Sequence, residues 1–461
     1  MISKDEITRK ADEFEIHASN VQRDYVFGWI LAGLFSASNL KNRLILKGGN
    51  CLRKAYFEHS RFSRDLDFST QDSLSEEFIG MELNHICDFV QKHSNVVFEK
   101  EKTRVKNKNC ANDGKRIYEA RFYFKDFFGN SDKFTISVRL DLSEFDKIYL
   151  PIQKRNLIHP YSDSSLCSIP LRCLKLEEIM AQKLKCLLQR RHSPDLYDFV
   201  YSTFFKHDIE INKKEIVNTF LKLTIFQRSP GIVKRILFDL PFQKIRSFWD
   251  RFIMQPKPSI IPYDDAVEVF KGSIDELFGS LPVGLGEQMF FPSYYRNPIF
   301  EAGQTFTLLK VKYHDVLRLV EPYCLSYKTR KDGVAKEYLY VYDLVGGRSG
   351  PGIKALVHPN IQELENTDTK FEPRYEVELC KAGESLKSSY FSGGFGGRKS
   401  TATRVRVGRR APSFGPVIGQ QYTVQCPICG KKFKRKLYDT TLNKHKDRFG
   451  NECFGRIGFM V

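Results

Sequence analysis

The stretch that decides the fold is residues 43–69, RLILKGGNCLRKAYFEHSRFSRDLDFS. RLILKGG predicts a short buried strand that ends in a glycine turn, and CLRKAYF predicts a helix directly after it. RDLDFS predicts a second strand, which the chain reaches through a short loop. We therefore expect a glycine turn and an acidic strand to belong to one site.

Carboxylates on the second strand predict a metal centre. Side chains alternate along a strand, so Asp65 and Asp67 share one face. Mg²⁺ (or Mn²⁺) prefers carboxylate oxygens, and nucleotidyl transfer uses two such ions about 3.5–4 Å apart. A third carboxylate on a neighbouring strand would complete the cage. Asp141 in ISVRLDLSEF (136–145) is the best candidate, and Glu144 is the alternative.

The glycine turn predicts a phosphate-binding site. Lys47, Gly48, Gly49 and Asn50 end the first strand and open the helix. Glycine lets backbone N–H groups approach phosphate oxygens, and the start of a helix favours negative charge. These four residues are therefore predicted to bind the phosphates of a nucleotide.

Three stretches of sequence, which together hold four ordered motifs, resemble the AbiEii/AbiGii toxin nucleotidyltransferases, which belong to the polymerase-β-like superfamily. They are KGGNCLRKAYF (47–57), RFSRDLDFS (61–69) and LKLEEIMAQKLKCLLQRRHSPDLYDFVY (174–201), and the resemblance covers about residues 20–205. It implies that Lys183 contacts the nucleotide phosphates and that Asp195, with Asp198 beside it, is a catalytic or positioning carboxylate. It also implies an NTP substrate, an RNA acceptor such as the tRNA 3′ end, a role as a bacterial toxin or antiphage effector, and an antitoxin partner.

Three positions depart from the family pattern. Asn50 stands where Ser or Thr is usual, Gln182 where Glu is usual, and Pro194 where Arg is usual. These departures leave a second hypothesis open, in which the active site is retired and the chain is a nucleic-acid-binding regulator. The retention of Asp65, Asp67 and Asp141 favours the enzyme.

The rest of the chain changes character twice. A mainly helical pattern runs from residue 174 to about 280, and strand-like runs follow a Gly/Pro-rich boundary at 279–293. The segments 320–333, 337–344 and 353–373 resemble a WYL domain, a small Sm-like β-barrel. The sequence thus predicts an α+β multidomain protein: a nucleotidyltransferase domain with a helical extension (1–285), a WYL-like β domain (290–390), a basic Gly-rich linker (391–420) and a short zinc finger (421–461).

The C-terminal segment predicts a zinc site. Cys426 and Cys429 form a Cys-x-x-Cys pair, whose thiolates can reach one ion, and His445 and Cys453 supply two more ligands. Four protein ligands leave no open position, so the predicted role is structural. A unit this short needs the metal to fold.

The charge distribution points to a polyanionic partner. The chain carries a net charge of +18, and residues 381–461 alone hold 17 Lys and Arg against 4 Asp and Glu. Such a tail suggests nucleic acid, here RNA, although a solvated basic surface is the plainer alternative. Five cations that follow the Cys-x-x-Cys pair are predicted to grip phosphates. They are Lys431, Lys432, Lys434, Arg435 and Lys436.

The composition favours a cytoplasmic protein. The first residues, MISKDEITRKADEFEIH, contain acids and no apolar core of a secretory signal, and no apolar run reaches the length of a membrane span. The 11 cysteines are odd in number and mostly scattered, which fits a reducing compartment better than a disulfide framework.

Overall fold

The computed structural model describes most of the chain up to residue 380 and parts of the C-terminal segment. The described residues are 2–108, 116–128, 135–204, 208–282, 289–329, 335–346, 350–380, 422–426, 429, 431–435, 442–446, 452–453 and 459–460. The predicted linker at 391–420 therefore lies outside them. Among the described residues, no helix is both long and apolar enough to span a bilayer.

A mixed seven-stranded sheet forms the centre of the N-terminal region, in the order β3-β4-β5-β2-β1-β7-β6. Its strands are β1 (Leu44–Lys47), β2 (Asp65–Thr70), β3 (Arg104–Lys108), β4 (Ile117–Lys125), β5 (Thr135–Glu144), β6 (Gln153–Asn156) and β7 (Pro170–Cys173). β2 pairs antiparallel with β1 and parallel with β5, so the predicted acidic strand lies between the glycine-turn strand and the strand of Asp141.

Four helices accompany this sheet: α1 (Lys4–Phe14), α2 (Ala18–Ala37), α3 (Gly48–Cys51) and α4 (Glu76–Ser94). α3 continues into a π-helical turn at Leu52–Tyr56. α2 is mainly apolar from Tyr25 onwards and is buried for most of its length, as expected for a helix inside a core. The sequence patterns of residues 5–37 and 75–93 predict helix, and α1, α2 and α4 lie in these two segments.

The alternation along the central strands separates a core face from a polar face. Leu66 and Phe68 of β2 and Leu140 and Leu142 of β5 are buried in the core. Asp65, Asp67 and Asp141 occupy the intervening positions and are only partly buried. Apolar burial on one face therefore holds the carboxylates on the other.

A helical extension follows the sheet, as predicted. It consists of α5 (Leu176–Arg190), α6 (Ser193–Phe204), α7 (Lys213–Leu223), α8 (Ile232–Phe238), α9 (Phe242–Phe252) and α10 (Tyr263–Phe278). Its buried side chains share one hydrophobic core with the sheet, from Ile2 to Phe290. α5 begins three residues after the end of β7, which pairs with β1.

One strand lies where the sequence predicted a loop. The run VVFEKEKT (96–103) predicts a strand, but it contains a 3-10 turn at Lys100–Lys102. The basic stretch RVKNKNCANDGK (104–115) predicts a hairpin loop, but the strand β3 occupies its first part, Arg104–Lys108. β3 is the outermost strand beside β4, and charged side chains on an edge strand discourage pairing with other chains.

The middle region is a helix against a five-stranded sheet with a separate core, from Phe291 to Leu379. It contains α11 (Ser293–Thr305), β8 (Thr307–Tyr313), β9 (Val316–Thr329), β10 (Ala335–Asp343), β11 (Gly352–Leu356) and β12 (Ile361–Lys370). The described strands pair in the order β11-β10-β9-β8-β12, which leaves β11 and β12 at opposite edges. The predicted closed WYL-like barrel is therefore not what the described strands form.

Polar contacts join the middle region to α5. Arg296 of α11 donates to the backbone oxygen of Leu188 at 2.7 Å and also pairs with the buried carboxylate of Glu337 at 2.6 Å. Gln189 donates to the backbone oxygen of Leu325 at 2.9 Å. The last turn of α5 is thus capped from the middle region, because a cation satisfies a carbonyl that the helix itself leaves unpaired.

The C-terminal segment contributes short strands. They are β13 (Tyr422–Gln425), β14 (Lys432–Arg435), β15 (His445–Lys446), β16 (Glu452–Cys453) and β17 (Phe459–Met460). β13 pairs with β14 and β17, and β15 pairs with β16.

Candidate active site and metal cluster

Three carboxylates meet at the polar face of the central sheet. Asp67 lies directly opposite Asp141 in the parallel pair β2–β5, and Asp65 is two residues before Asp67 on the same face. One carboxylate oxygen from each lies within 4.8 Å of those of the other two. All three residues were predicted from the sequence, and the structure brings them together.

The electrostatics of this triad favour a bound cation. Burial, together with the negative charges of Asp65 and Asp141, raises the pKa of Asp67 to about 7. Burial also raises the pKa of Asp141, although the guanidinium of Arg139 opposes this. Carboxylates held together in this way repel one another unless a cation lies between them. An all-oxygen donor set fits a hard divalent ion such as Mg²⁺ or Mn²⁺.

The glycine turn leaves no room for side chains. Gly48 has φ +74°, and a Cβ there would lie 2.2 Å from Oδ2 of Asp67. A Cβ on Gly49 would lie 2.6 Å from Nη2 of Arg61. The first glycine is therefore required by both backbone conformation and contact, and the second by contact alone.

The residues that flank the glycines have partners within the protein. The Nζ of Lys47 pairs with Asp146, which also accepts from the hydroxyl of Ser69 at 2.6 Å. Asn50 is fully buried, and its amide nitrogen donates to the backbone oxygen of Asp65 at 2.6 Å. Asn50 thus fixes the start of β2, directly beside the carboxylates. Its Oδ1 has no hydrogen-bond partner among the described residues.

The helix after the turn is tied to α2 by buried charges. Arg53 donates to Oδ1 of Asp24 at 2.7 Å, and Lys54 donates to Oδ2 of the same carboxylate at 2.9 Å. All three side chains are almost fully buried. The Arg-Lys pair in CLRKAYF therefore anchors the turn to the core.

Lys183 belongs to a buried ion cluster beside the triad. Its Nζ lies 3.0 Å from Oδ1 of Asp195 and 2.7 Å from Oδ2 of Asp198. Arg190 donates to both oxygens of Asp195 at 2.7 and 2.8 Å. Arg61 donates to both oxygens of Asp198 at 2.7 and 2.8 Å. These ion pairs join α5, α6 and the loop before β2.

This cluster acts on the triad through its charge. Burial would raise the pKa of Asp195, but Arg190 and Lys183 outweigh it and hold the pKa well below its usual range. The positive charge of Lys183 also acts to lower the pKa of Asp67. Asp195 is fully buried and pairs with both Lys183 and Arg190, which it holds in place. Arg61 was not singled out from the sequence, where nothing indicates its partner 137 residues away.

A second cluster lies in the C-terminal segment. Cys426, Cys429, His445 and Cys453 place one ligand atom each within 4.8 Å of the others. The Sγ atoms of Cys426 and Cys453 are 3.7 Å apart, and Sγ of Cys429 lies 3.3 Å from Nε2 of His445. A tetrahedral ion with Zn–S bonds of about 2.3 Å separates two sulfurs by roughly 3.8 Å. The cluster can hold a metal ion, and its donor set fits zinc.

Two further features support this fit. The Nδ1 of His445 lies 2.9 Å from the backbone oxygen of Asn443, a contact that orients Nε2 towards the thiols. Burial opposes ionisation of Cys429, but hydrogen bonds from the backbone of Lys431 and from Cys453 prevail and lower the pKa of the thiol to about 7. A thiol with this pKa readily supplies the thiolate that a metal needs.

The position of the basic residues directly after the Cys-x-x-Cys pair predicts a loop, but the described ones lie mainly on a strand. Lys431 and Lys432 are exposed, and β14 runs from Lys432 to Arg435. The side chains of Lys434 and Arg435, and the whole of Lys436, lie outside the described residues.

Comparison with known proteins concerns mainly the N-terminal half. Residues 29–252 match the family model described as nucleotidyl transferase AbiEii toxin, type IV TA system. Among solved structures, the chain is similar to MenT4, a nucleotidyltransferase toxin from Mycobacterium tuberculosis H37Rv. That match has 17% sequence identity and a TM-score of 0.35, and it covers 60% of this chain and 89% of MenT4. No curated protein matches the chain.

Proposed function

We propose the reaction that this nucleotidyltransferase catalyses. The enzyme class follows from the match of residues 29–252 to the AbiEii toxin family. The enzyme moves a nucleoside monophosphate from an NTP to the 3′ end of an RNA, with tRNA as the leading acceptor, and releases pyrophosphate. The observation that carries the proposal is the convergence of Asp65, Asp67 and Asp141 within 4.8 Å, beside a turn in which Gly48 cannot be replaced without displacing Asp67.

The chemistry follows from the residues at the site. Asp65, Asp67 and Asp141 would hold divalent ions, which neutralise charge on the α-phosphate and on the leaving pyrophosphate. A bond forms between the acceptor hydroxyl oxygen and the α-phosphorus while the bond to the pyrophosphate oxygen breaks. The hydroxyl proton passes to a carboxylate of the triad. Lys183, held by Asp195 and Asp198, supplies positive charge on the nucleotide side of the centre.

The other binding roles are part of the same proposal. Lys47, Gly48, Gly49 and Asn50 border the triphosphate site. Of these, Lys47 would exchange its partner Asp146 for a phosphate, whereas Asn50 would act by holding β2. The match of residues 29–252 to a toxin family supports the further proposal of an antitoxin that restrains the enzyme, and of a role as a toxin or antiphage effector in the bacterial cytoplasm.

The C-terminal cluster adds a second metal with a different task. We assign zinc to Cys426, Cys429, His445 and Cys453, as a structural ion that folds the segment. Lys431, Lys432, Lys434, Arg435 and Lys436 would then present positive charge to RNA.

The experiment is incubation of the full chain with each α-labelled NTP, Mg²⁺ and total RNA. We expect label in the RNA with at least one NTP, and none when EDTA replaces Mg²⁺. Binding of RNA without transfer from any NTP would favour the retired regulator. Label that appears in protein instead of RNA would reject the RNA acceptor and keep the enzyme class.

A further inference from the structure

Three arginines lie in a row across the sheet and lead to the carboxylate centre. In the register of β3, β4 and β5, Arg104 lies opposite Arg121, and Arg121 lies opposite Arg139. The next position across, on β2, is Asp65. Residues directly opposite each other share a face, so the row ends at the triad. Strands are about 4.8 Å apart, and the row therefore extends roughly 15 Å from Asp65.

The face that carries this row is open to solvent and rich in cations. Arg104 and Lys106 on β3 are exposed, and the side chains of Arg121 and Arg139 are each 32% exposed. Lys108 on this face pairs with Glu376 of the middle region at 3.1 Å, and Glu119 is the carboxylate of the sheet that lies among these cations. It pairs with Lys108 at 2.6 Å, with Arg121 at 2.7 Å and with Arg139 at 3.2 Å. The positive charges outnumber the negative ones before the triad is reached.

Carboxylates compensate part of this charge within the sheet, since Glu119 pairs with Arg121 and Arg139, and Asp141 pairs with Arg139. Like charges directly opposite each other across a strand pair destabilise a sheet. The row contains two such pairs, Arg104 with Arg121 and Arg121 with Arg139. A polyanion along the face would offset the remaining positive charge, as expected of a surface that binds a chain of phosphates.

The row lies on the side of the centre from which an acceptor would arrive. The glycine turn follows β1, and Lys183 lies on α5 after β7, so both belong to one side of β2. The arginine row lies on the other side, on β5, β4 and β3. In phosphoryl and nucleotidyl transfer the attacking and leaving oxygens are roughly in line. If the triphosphate occupies the glycine side, the attacking hydroxyl comes from the side of β5.

We propose that Arg104, Arg121 and Arg139, with Lys106, form the acceptor track: the phosphates of a single-stranded RNA 3′ end lie along this row, and the terminal hydroxyl reaches the triad. Arg139 is the member nearest the reaction, since it already pairs with Asp141 at the end of the row. This proposal rests on the proposed function, because it names where that acceptor binds.

The test uses charge reversal at the end of the track that is farthest from the chemistry. The variant Arg104→Glu/Lys106→Glu changes two exposed side chains of β3. We expect the KM for RNA to rise at least tenfold, with little change in the KM for NTP and in kcat at saturating RNA. Each lost phosphate contact lowers the salt slope of single-strand binding by about 0.7, so the slope should fall by about 1.4. The matched control is Arg9→Glu/Lys214→Glu, at exposed positions on α1 and α7, which should leave these values unchanged.

The remaining outcomes separate this proposal from the proposed function. An unchanged KM for RNA, or a rise in the KM for NTP alone, would overturn the acceptor track while leaving the enzyme in place. Absence of transfer in the wild-type protein would overturn the proposed function instead. In that case, fluorescence anisotropy with a labelled single-stranded RNA tests the acceptor track independently of transfer. Weaker binding by the β3 variant but not by the control supports the track, and equal binding by the two rejects it.

Discussion

The geometry of the carboxylate triad depends on the absence of a side chain at Gly48. The turn that it forms brings the backbone against the carboxylate of Asp67, with space only for a hydrogen atom. Gly49 makes a similar approach to Arg61, which itself holds Asp198 in the buried cluster. The glycine pair therefore links the triad and the Lys183 cluster through contact as well as through its backbone.

The first prediction concerns this contact. Gly48→Ala should reduce nucleotidyl transfer at least ~100-fold, because the new methyl group displaces Asp67 and the residue must keep a positive φ that costs roughly 1–3 kcal/mol. Gly80→Ala in α4 is the matched control, since its Cβ would meet only Val105 at 3.8 Å. The control should keep full activity and should stabilise α4 by about 0.5–1 kcal/mol. Equal activity of the two variants in the label-transfer assay would refute the role of the contact.

A second prediction concerns His192, beside the Asp195 cluster. Burial lowers the pKa of this ring from 6.5 to about 3, although Asp195 acts to raise it. The folded chain keeps the ring neutral while the unfolded chain takes up a proton below pH 6.5. Its contribution to stability is thus full above pH 6.5 and is lost as the pH falls towards 3. At pH 5 the loss is at most about 2 kcal/mol, taking 1.36 kcal/mol per pH unit.

Thermal unfolding at pH 7.5 and pH 5 measures this effect. His192→Phe cannot be protonated, so its unfolding temperature should fall less between the two pH values than that of the wild-type chain. His85→Phe, at an exposed position of α4, should fall as much as the wild type. A His192→Phe variant that is as acid-sensitive as the wild type would show that the ring does not carry this dependence.

At the scale of single residues, the sequence predicts the three carboxylates of the triad but not the side chains that contact them. Alternation alone places Asp65 and Asp67 on one face, and Asp141 needed only the assumption that its strand is a neighbour. Arg61 and Arg139 could not be assigned, because their partners depend on strand register and on a fold that joins residues far apart in the chain. For Asn50 the sequence suggested a phosphate contact, and the structure shows its amide on the backbone of Asp65.

Among the elements, β3 shows where hydrophobic patterning fails. RVKNK contains a single apolar residue, Val105, and no alternation of apolar with polar side chains. An edge strand needs little apolar surface, because only one of its sides pairs and its exposed face can be fully charged. The basic composition that indicated a loop belongs instead to a strand whose cations, Arg104 and Lys106, begin the acceptor track.

The third prediction concerns the C-terminal metal cluster. The purified protein should contain about one zinc ion per chain, because four ligands fill a tetrahedral site. Cys429→Ser should lower zinc content sharply, and deletion of 420–461 should remove it while the N-terminal region stays folded. Cys186→Ser, a half-buried cysteine outside the cluster, should keep its zinc. Zinc that persists after the deletion, as measured by mass spectrometry, would place the metal elsewhere.

The fourth prediction concerns the basic strand of the same segment. The salt dependence of RNA affinity should become flatter when five basic residues are replaced with Ala: Lys431, Lys432, Lys434, Arg435 and Lys436. The variant makes fewer phosphate contacts, so RNA binding releases fewer counterions. Transfer at limiting RNA should weaken, while transfer at saturating RNA should persist, since the chemistry lies at the triad. An unchanged slope in a binding titration from 50 to 200 mM salt would mean that these cations are a solvated surface.

In the whole molecule, two separate cores meet at the end of the helix that carries Lys183. Arg296 belongs to the middle region, yet it caps the backbone of Leu188 on α5. Lys108 of β3 pairs with Glu376 of the middle region at 3.1 Å, so the edge of the acceptor track also touches this region. The order of the regions could be anticipated from shifts in composition, but these contacts, and the open form of the middle sheet, follow from packing that composition does not specify.

The measurement that tests the central claim most directly compares α-labelled with γ-labelled NTP, in the wild-type chain and in Asp67→Ala. Transfer of a nucleoside monophosphate predicts that RNA takes up the α-label, that the γ-label leaves in pyrophosphate, and that Asp67→Ala abolishes both while the protein stays folded. Losing one of three like-charged neighbours should relieve repulsion and not unfold the sheet. Uptake of the γ-label by RNA, or full activity of Asp67→Ala, would contradict nucleotidyl transfer at the carboxylate triad.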